Sequence, residues 1–169
     1  TAAYYGLNDS NISRPLSGQT ALSTVLADMQ NHTPTATFIA TALDFGGQSG
    51  VWHGTTDFGN NLGKSLGNLN AFLSGSASNL ALGSNYGTTS QAILSMGGAF
   101  TASAGTYTLN VNADDGYRII VDGQVAGQFT GNQAPTVANT QITLAPTAGN
   151  LHSIQIVYWD QGGQATLQV

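Results

Sequence analysis

The sequence predicts an all-β fold, an antiparallel β-sandwich or barrel with one or two short helices and long loops. Three observations carry this. From Thr88 onward, short runs alternate apolar and polar residues with the period of two that buries one face of a strand. Turn signals divide those runs at regular intervals, at Ala104-Gly105, at Asp122-Gly123, at Pro146 to Asn150 and across Asp160-Gln161-Gly162-Gly163-Gln164. Helical spacing is confined to two stretches of the first half.

The first residues, Ala2-Ala3-Tyr4-Tyr5-Gly6, form a short aromatic strand ended by glycine, and Leu7 to Pro15 is polar and turn-rich. Between Ser17 and Gln30 apolar residues fall at Ala21, Leu22, Val25, Leu26 and Met29, one face of a helix. Ser17 or Thr20 can cap its start, and Pro34 lies just past its end. Thr35 to Leu43 alternates as a strand through Ala36, Phe38, Ala40 and Ala42. A Gly- and Asn-rich insertion spans Asp44 to about Tyr86, with Leu69, Phe72, Leu73 and Leu80 suggesting a second short helix beneath its loops. Ser90 to Met96 and Ala99 to Ala102 then read as two short strands, followed by Thr106 to Val111 and Tyr117 to Val121. Asp122-Gly123 marks a tight hairpin that returns through Val125 and Phe129. Gln141 to Leu144, an alternating run from His152 to Trp159, and Ala165 to Val169 complete the strands.

Composition narrows the function. At 169 residues the chain fits one domain, residues 1–169, with a sizeable core. Only 7% of residues are charged, so hydroxyl and amide groups, rather than ion pairs, keep the surface wet. A net charge of −5 with three basic residues argues against nucleic acid and anionic lipid, both of which need clustered Lys and Arg. No apolar run reaches the length of a membrane span, so no direct membrane insertion is expected. Cysteine is absent, which removes disulfides and thiol chemistry.

Against this background one feature stands out. All eight acidic residues are aspartates, and two of them, Asp114 and Asp115, are adjacent, followed by Gly116 and flanked by strand-like runs. Such a pair belongs at a loop tip, where the plain alternative is an ordinary hairpin turn. Enzyme signatures are missing. Glycoside hydrolysis needs two carboxyls roughly 5–10 Å apart across a sugar, which neighbouring aspartates aimed at one point cannot span. Gly47-Gln48-Ser49-Gly50 fails as a nucleophile elbow because Val51 stands where the second glycine belongs. No His pair has zinc spacing, and there is no phosphate loop or EF-hand.

The order Ala-Gly-Thr-Tyr-Thr-Leu, then Ala-Asp-Asp-Gly-Tyr-Arg-Ile-Ile-Val-Asp-Gly, then Leu-His-Ser-Ile-Gln-Ile-Val-Tyr-Trp with a Gly-rich loop and a closing strand resembles the PA14 domain family. Ala2-Ala3-Tyr4-Tyr5 matches that family's start. The resemblance spans the chain, strongest from Gly105 to Val169 and weakest in the insertion. The paired aspartates, with Asn61-Leu62-Gly63 through Phe72-Leu73, are similar to sugar-binding PA14 modules of large RTX-type bacterial adhesins, relatives of the yeast flocculin lectin domains. This implies a lectin module excised from a larger, extracellular, cell-surface adhesin. It further implies a cis bond between Asp114 and Asp115 and a calcium ion held by both, which in turn binds vicinal hydroxyls of a carbohydrate.

Calcium takes roughly 6–8 oxygen ligands in loose geometry. A trans peptide splays two adjacent carboxylates, whereas a cis bond turns both toward one point. The loop after Trp159 can complete such a site with Asp160, Gln161 and the carbonyls of Gly162 and Gly163, with either Asp160 or Gln161 serving the turn instead. Trp52 and His53 are candidates for a wall against a sugar ring, although Trp52 could equally cover the short helix. Tyr158, Trp159 and His152 read as packing residues, and Asp44 and Asp57 as turn residues. Calcium-dependent carbohydrate binding by a monomeric module is the expected function. Other readings are a structural or assembly module, the carbohydrate-targeting part of a larger enzyme, and an ice-binding surface, for which the threonines are too scattered in sequence.

Overall fold

The computed structural model describes residues 1–7, 22–46, 59–60, 66–73, 75–82, 91–161 and 164–169. In chain order these residues form β1 (Ala2–Leu7), α1 (Leu22–Asn31), β2 (Ala36–Ala40), β3 (Asp44–Phe45), β4 (Gly59–Asn60), α2 (Leu66–Leu73) and β5 (Ala77–Leu82). There follow β6 (Gln91–Thr101), β7 (Gly105–Asp114), β8 (Gly116–Val121), β9 (Gln124–Phe129), β10 (Thr136–Leu144), β11 (Leu151–Asp160) and β12 (Gln164–Gln168), with one 3-10 turn at Ala148–Asn150. No helix among the described residues is long and apolar enough to cross a membrane.

The strands make two open antiparallel sheets, so the sandwich expectation holds and the barrel alternative does not. One sheet has the order β5-β2-β1-β6-β11-β8-β9, and the second runs β10-β7-β12-β3, with β4 pairing on β12. Alternation places Tyr4, Phe38, Leu94, Val111, Ala113, Ile119, Ile156, Tyr158 and Leu167 in the core. Opposite residues of the first sheet, Ile93 and Trp159, pack outward beneath Val25 of α1, with Tyr5, Leu22, Met29 and Val157 around them. That second layer is why the β11 sequence Val157-Tyr158-Trp159 is apolar on both faces.

Three differences from the sequence reading have local causes. The two short strands around Gly97-Gly98 are one, β6, because β11 pairs across both glycines, Gly97 with Gln155 and Gly98 with Ile154. Leu80 belongs to edge strand β5 rather than to a helix, since residues 77–82 pair with β2. Helix α1 runs from Leu22 to Asn31, and the earlier part of the expected helix lies outside the described residues. Finally, β10 begins at Thr136, five residues before the expected Gln141, since its polar residues pair along β7 out in solvent where no apolar alternation is needed.

The hairpin signal was read correctly. Asp122 and Gly123 both have positive φ, 49° and 78°, as a tight two-residue turn between β8 and β9 requires. This turn is tied to β11. The Asp122 carboxylate accepts from Ser153 N–H at 2.8 Å and lies 2.6 Å from His152 Nδ1. The His152 interaction, followed by the Ser153 N–H bond, holds the Asp122 pKa below the ordinary carboxylate value. His152 Nε2 faces Ala102 O at 3.1 Å, and the ring stacks on Phe100, so His152 is a packing residue as expected.

An aromatic file crosses the core and reaches the aspartate pair. Phe45 of β3 stacks on Phe72 of α2 at 5.5 Å, and Phe72 stacks on Tyr158 of β11 at 5.9 Å. These rings are 0%, 1% and 0% exposed, so α2 acts as a plug between the sheets rather than as a surface decoration. Burying each such side chain contributes about 1.5–3 kcal/mol.

Candidate functional site

Asp114 and Asp115 do not sit at a hairpin tip. Asp114 is the last residue of β7, paired with Thr166 of β12 in the smaller sheet, whereas Gly116 opens β8 of the larger sheet and pairs with Trp159. The pair therefore occupies the corner where the chain crosses from one sheet to the other. The peptide bond between them is cis. Both residues are 7% exposed, which a turn residue would not be.

Backbone contacts clamp this corner. Asp115 N–H donates to Trp159 O at 3.2 Å, and the Tyr158 hydroxyl donates to Asp114 O. Gly116 has no alternative side chain: a Cβ there would lie 1.9 Å from the Trp159 indole and 2.4 Å from Gly131 O. The third residue of the Asp-Asp-Gly motif is thus set by the indole behind it.

The carboxylates are costly to charge. Burial, then the charge of Asp115, then that of Asp160, push the Asp114 pKa up to about 8. Burial also raises Asp115, although N–H groups of Gln161 and Gln133 donate to it and oppose the shift. Tyr158 is raised well above its usual value, first by burial and then by the fields of Asp160, Asp114 and Asp115. Among the described residues no Lys, Arg or His is paired with either member of the Asp pair.

The second loop arrives as expected, through Gln161. Its N–H donates to Asp115 Oδ2 at 2.6 Å. Asp160, at the end of β11 and on the same side of the strand as Tyr158, is fully buried, and its charge reaches the pair. Among the described residues no group of three or more His, Cys, Asp or Glu is gathered where it could hold one metal ion. Gly162, Gly163, Trp52 and His53 lie outside the described residues. Tyr158 and Trp159 are both 0% exposed and are packing residues.

A third loop was missed by the sequence reading. Gln133, between β9 and β10, donates its N–H to Asp115 and its side-chain amide to Ala113 O at 3.3 Å. Asn132 accepts from Trp159 Nε1 at 3.0 Å and donates to Gln161 Oε1 at 2.5 Å. Nothing in the local pattern Gly131-Asn132-Gln133 distinguishes it from a solvated turn.

In chemical terms the corner gathers two carboxylates, a side-chain amide and backbone groups. The two carboxylates are hard oxygen donors, and with excess negative charge and no cationic partner among the described residues they suit a hard divalent cation such as calcium. A groove of about 330 Å³ lined by Leu43, Met96, Phe100, Ile154 and Ile156 contains none of these groups.

The PA14 domain model matches residues 74–169. The chain belongs to the PA14 domain family. This PA14 domain is similar to a solved PA14 sugar-binding domain from an RTX adhesin, with 32% identity over 98% of this chain and 84% of the other and a TM-score of 0.76. It also shares its fold with the PA14 domain of the antifreeze protein MpAFP, at 24% identity, 99% and 77% coverage and a TM-score of 0.75. No curated protein matches it.

Proposed function

We propose that this PA14 domain is a calcium-dependent lectin, a non-enzymatic, monomeric carbohydrate-binding module of an extracellular cell-surface adhesin. The observation that carries the reading is the buried Asp114–Asp115 corner, where two carboxylates are held together with no cationic partner among the described residues. The likeness to the sugar-binding domain of an RTX adhesin supports it. In the ion-free protein the pair resists full ionisation, since burial and mutual repulsion favour a retained proton on Asp114. A divalent cation removes that penalty, and this gives the corner its preference for an ion over water.

Asp114 and Asp115 would hold the ion, with Gln161 as the amide donor, and the carbonyls of Gly162 and Gly163 complete the expected set. Of the two candidates in that loop, Gln161 is favoured over Asp160, because the Gln161 main-chain N–H already contacts Asp115 whereas Asp160 is enclosed beside Tyr158. When bound, calcium supplies exchangeable coordination positions at which vicinal sugar hydroxyls replace water. The protein's own task is to hold the two carboxylates together and to brace the corner through Trp159, Tyr158 and Gly116. Trp52 and His53 are proposed as the flanking wall of the sugar.

The test is a glycan array with wild type, Asp114→Ala and Asp115→Ala, each in calcium and in chelator. Wild type should bind only with calcium. Both variants should lose binding while circular dichroism shows an intact β fold. Unchanged glycan binding by either variant would remove the metal-mediated reading.

A further inference from the structure

We infer that Asn132 is a positioning residue that dictates which end of the Gln161 side-chain amide serves the aspartate corner, an inference that rests on the calcium reading above. An amide has an oxygen end and a nitrogen end of nearly equal shape, and only the oxygen can ligate a cation. Something must choose between them. Here the choice begins at Trp159, whose indole nitrogen can only donate. Its N–H points to Asn132 at 3.0 Å, so the Asn132 atom facing it is Oδ1. The remaining end of Asn132 is Nδ2, which can only donate. Nδ2 lies 2.5 Å from Gln161, so the Gln161 atom facing it is the carbonyl oxygen Oε1.

The hydrogen-bond polarity thus runs Trp159 to Asn132 to Gln161 and admits no flipped alternative without placing two donors face to face. The indole at its origin is itself enclosed. Trp159 is 0% exposed and packed with Val25 and Ile93 between the larger sheet and α1. The chain of bonds therefore carries the rigidity of a packed aromatic to a loop residue.

The location matches the role. Asn132 precedes Gln133, whose N–H donates to Asp115, and Gln161 donates its own N–H to the same carboxylate. The two loops meet on Asp115, and Asn132 is their side-chain link. A carbonyl oxygen has two lone pairs, so accepting from Asn132 leaves capacity for an ion while fixing the direction of the amide. Groups that orient metal ligands from behind are typically worth roughly 10–100-fold in metal affinity.

The experiment is a double-mutant cycle on calcium affinity, using Asn132→Ala, Gln161→Ala and the double variant, with thermal stability measured in parallel. Asn132→Ala should weaken calcium binding by roughly 10–100-fold in the presence of Gln161 and by less than about threefold in the Gln161→Ala background. A role confined to satisfying the Trp159 N–H would lower stability in both backgrounds and show no such coupling. Equal losses in both backgrounds, or no loss in either, would overturn the inference. In the ion-free protein, side-chain amide NMR adds an independent readout: the Gln161 amide should be ordered in wild type and rotationally averaged in Asn132→Ala. An averaged Gln161 amide in wild type would also overturn it. If wild type binds no calcium at all, the calcium reading itself fails, and the NMR comparison still decides whether Asn132 orients Gln161.

Discussion

At Asp114 the hold on a proton is set by burial first and by the charges of Asp115 and Asp160 second. Because the folded pKa is raised from 3.8 to about 8, the folded protein holds a proton that the unfolded chain releases across that interval. Folding stability from this group is therefore full below the unfolded value and falls as pH rises toward about 8. In chelator, melting curves should show a loss of stability between about pH 5 and 8 that is smaller in Asp114→Asn, while calcium affinity rises over the same range as the proton is expelled. A pH-independent difference between the two proteins would contradict this. Gly116 makes a second residue-scale case. A methyl group there would overlap the Trp159 ring and the Gly131 carbonyl, so Gly116→Ala should cost about 3 kcal/mol, the upper end of overpacking, and weaken calcium binding with it, as read by urea denaturation and calcium titration. The Asp-Asp-Gly motif was legible because its three residues are neighbours in sequence. Asn132 was not legible, because its partners Trp159 and Gln161 are 27 and 29 residues away and no local period records a contact made by tertiary folding.

At the scale of elements, the reading from sequence succeeded where burial alternates along a strand, as over residues 151–156 of β11, and failed where both faces are exposed. Strand β10 is mostly exposed on both faces, so its polar first half looked like loop. The short strand β5 was absorbed into the insertion because its exposed residues show no clean alternation. The helix around Leu69 and Phe72 was visible, but its purpose was not. Phe72 fills the space between Phe45 and Tyr158, and Tyr158 in turn donates to the Asp114 carbonyl. Phe72→Ala should cost about 3–5 kcal/mol through the cavity it leaves. Because Tyr158 loses its stacking partner, calcium affinity should fall along with stability, whereas Phe72→Leu, which refills much of the space without a ring, should recover more of the stability than of the affinity. Stability by denaturant titration and affinity by calorimetry check the pair of outcomes, and a stable Phe72→Ala would show that α2 is not the plug described.

For the whole molecule, the two sheets do more than enclose a core, since the chain's crossing between them creates the corner at which the aspartates meet. Three segments far apart in sequence, the crossing itself, the loop after β11 and the loop before β10, converge on Asp115. A sugar gripped by two hydroxyls on one ion buries little surface, so the affinity of a single site should be weak, on the order of 0.1–10 mM, or about −3 to −5 kcal/mol. Adhesion by the proposed lectin would then depend on many sites engaging together, where effective concentration multiplies a weak interaction. The whole-molecule fold was legible because the order of motifs spans the chain, whereas the sugar that the proposed lectin would select is not written in any sequence pattern. The most direct measurement is calorimetric titration of a free monosaccharide that binds on the array into wild-type protein with calcium, then with chelator, then with calcium restored. Millimolar binding that vanishes in chelator and returns with calcium is the result expected. Binding that survives chelation, or nanomolar affinity for the free sugar, would contradict a lectin built on the Asp114–Asp115 corner.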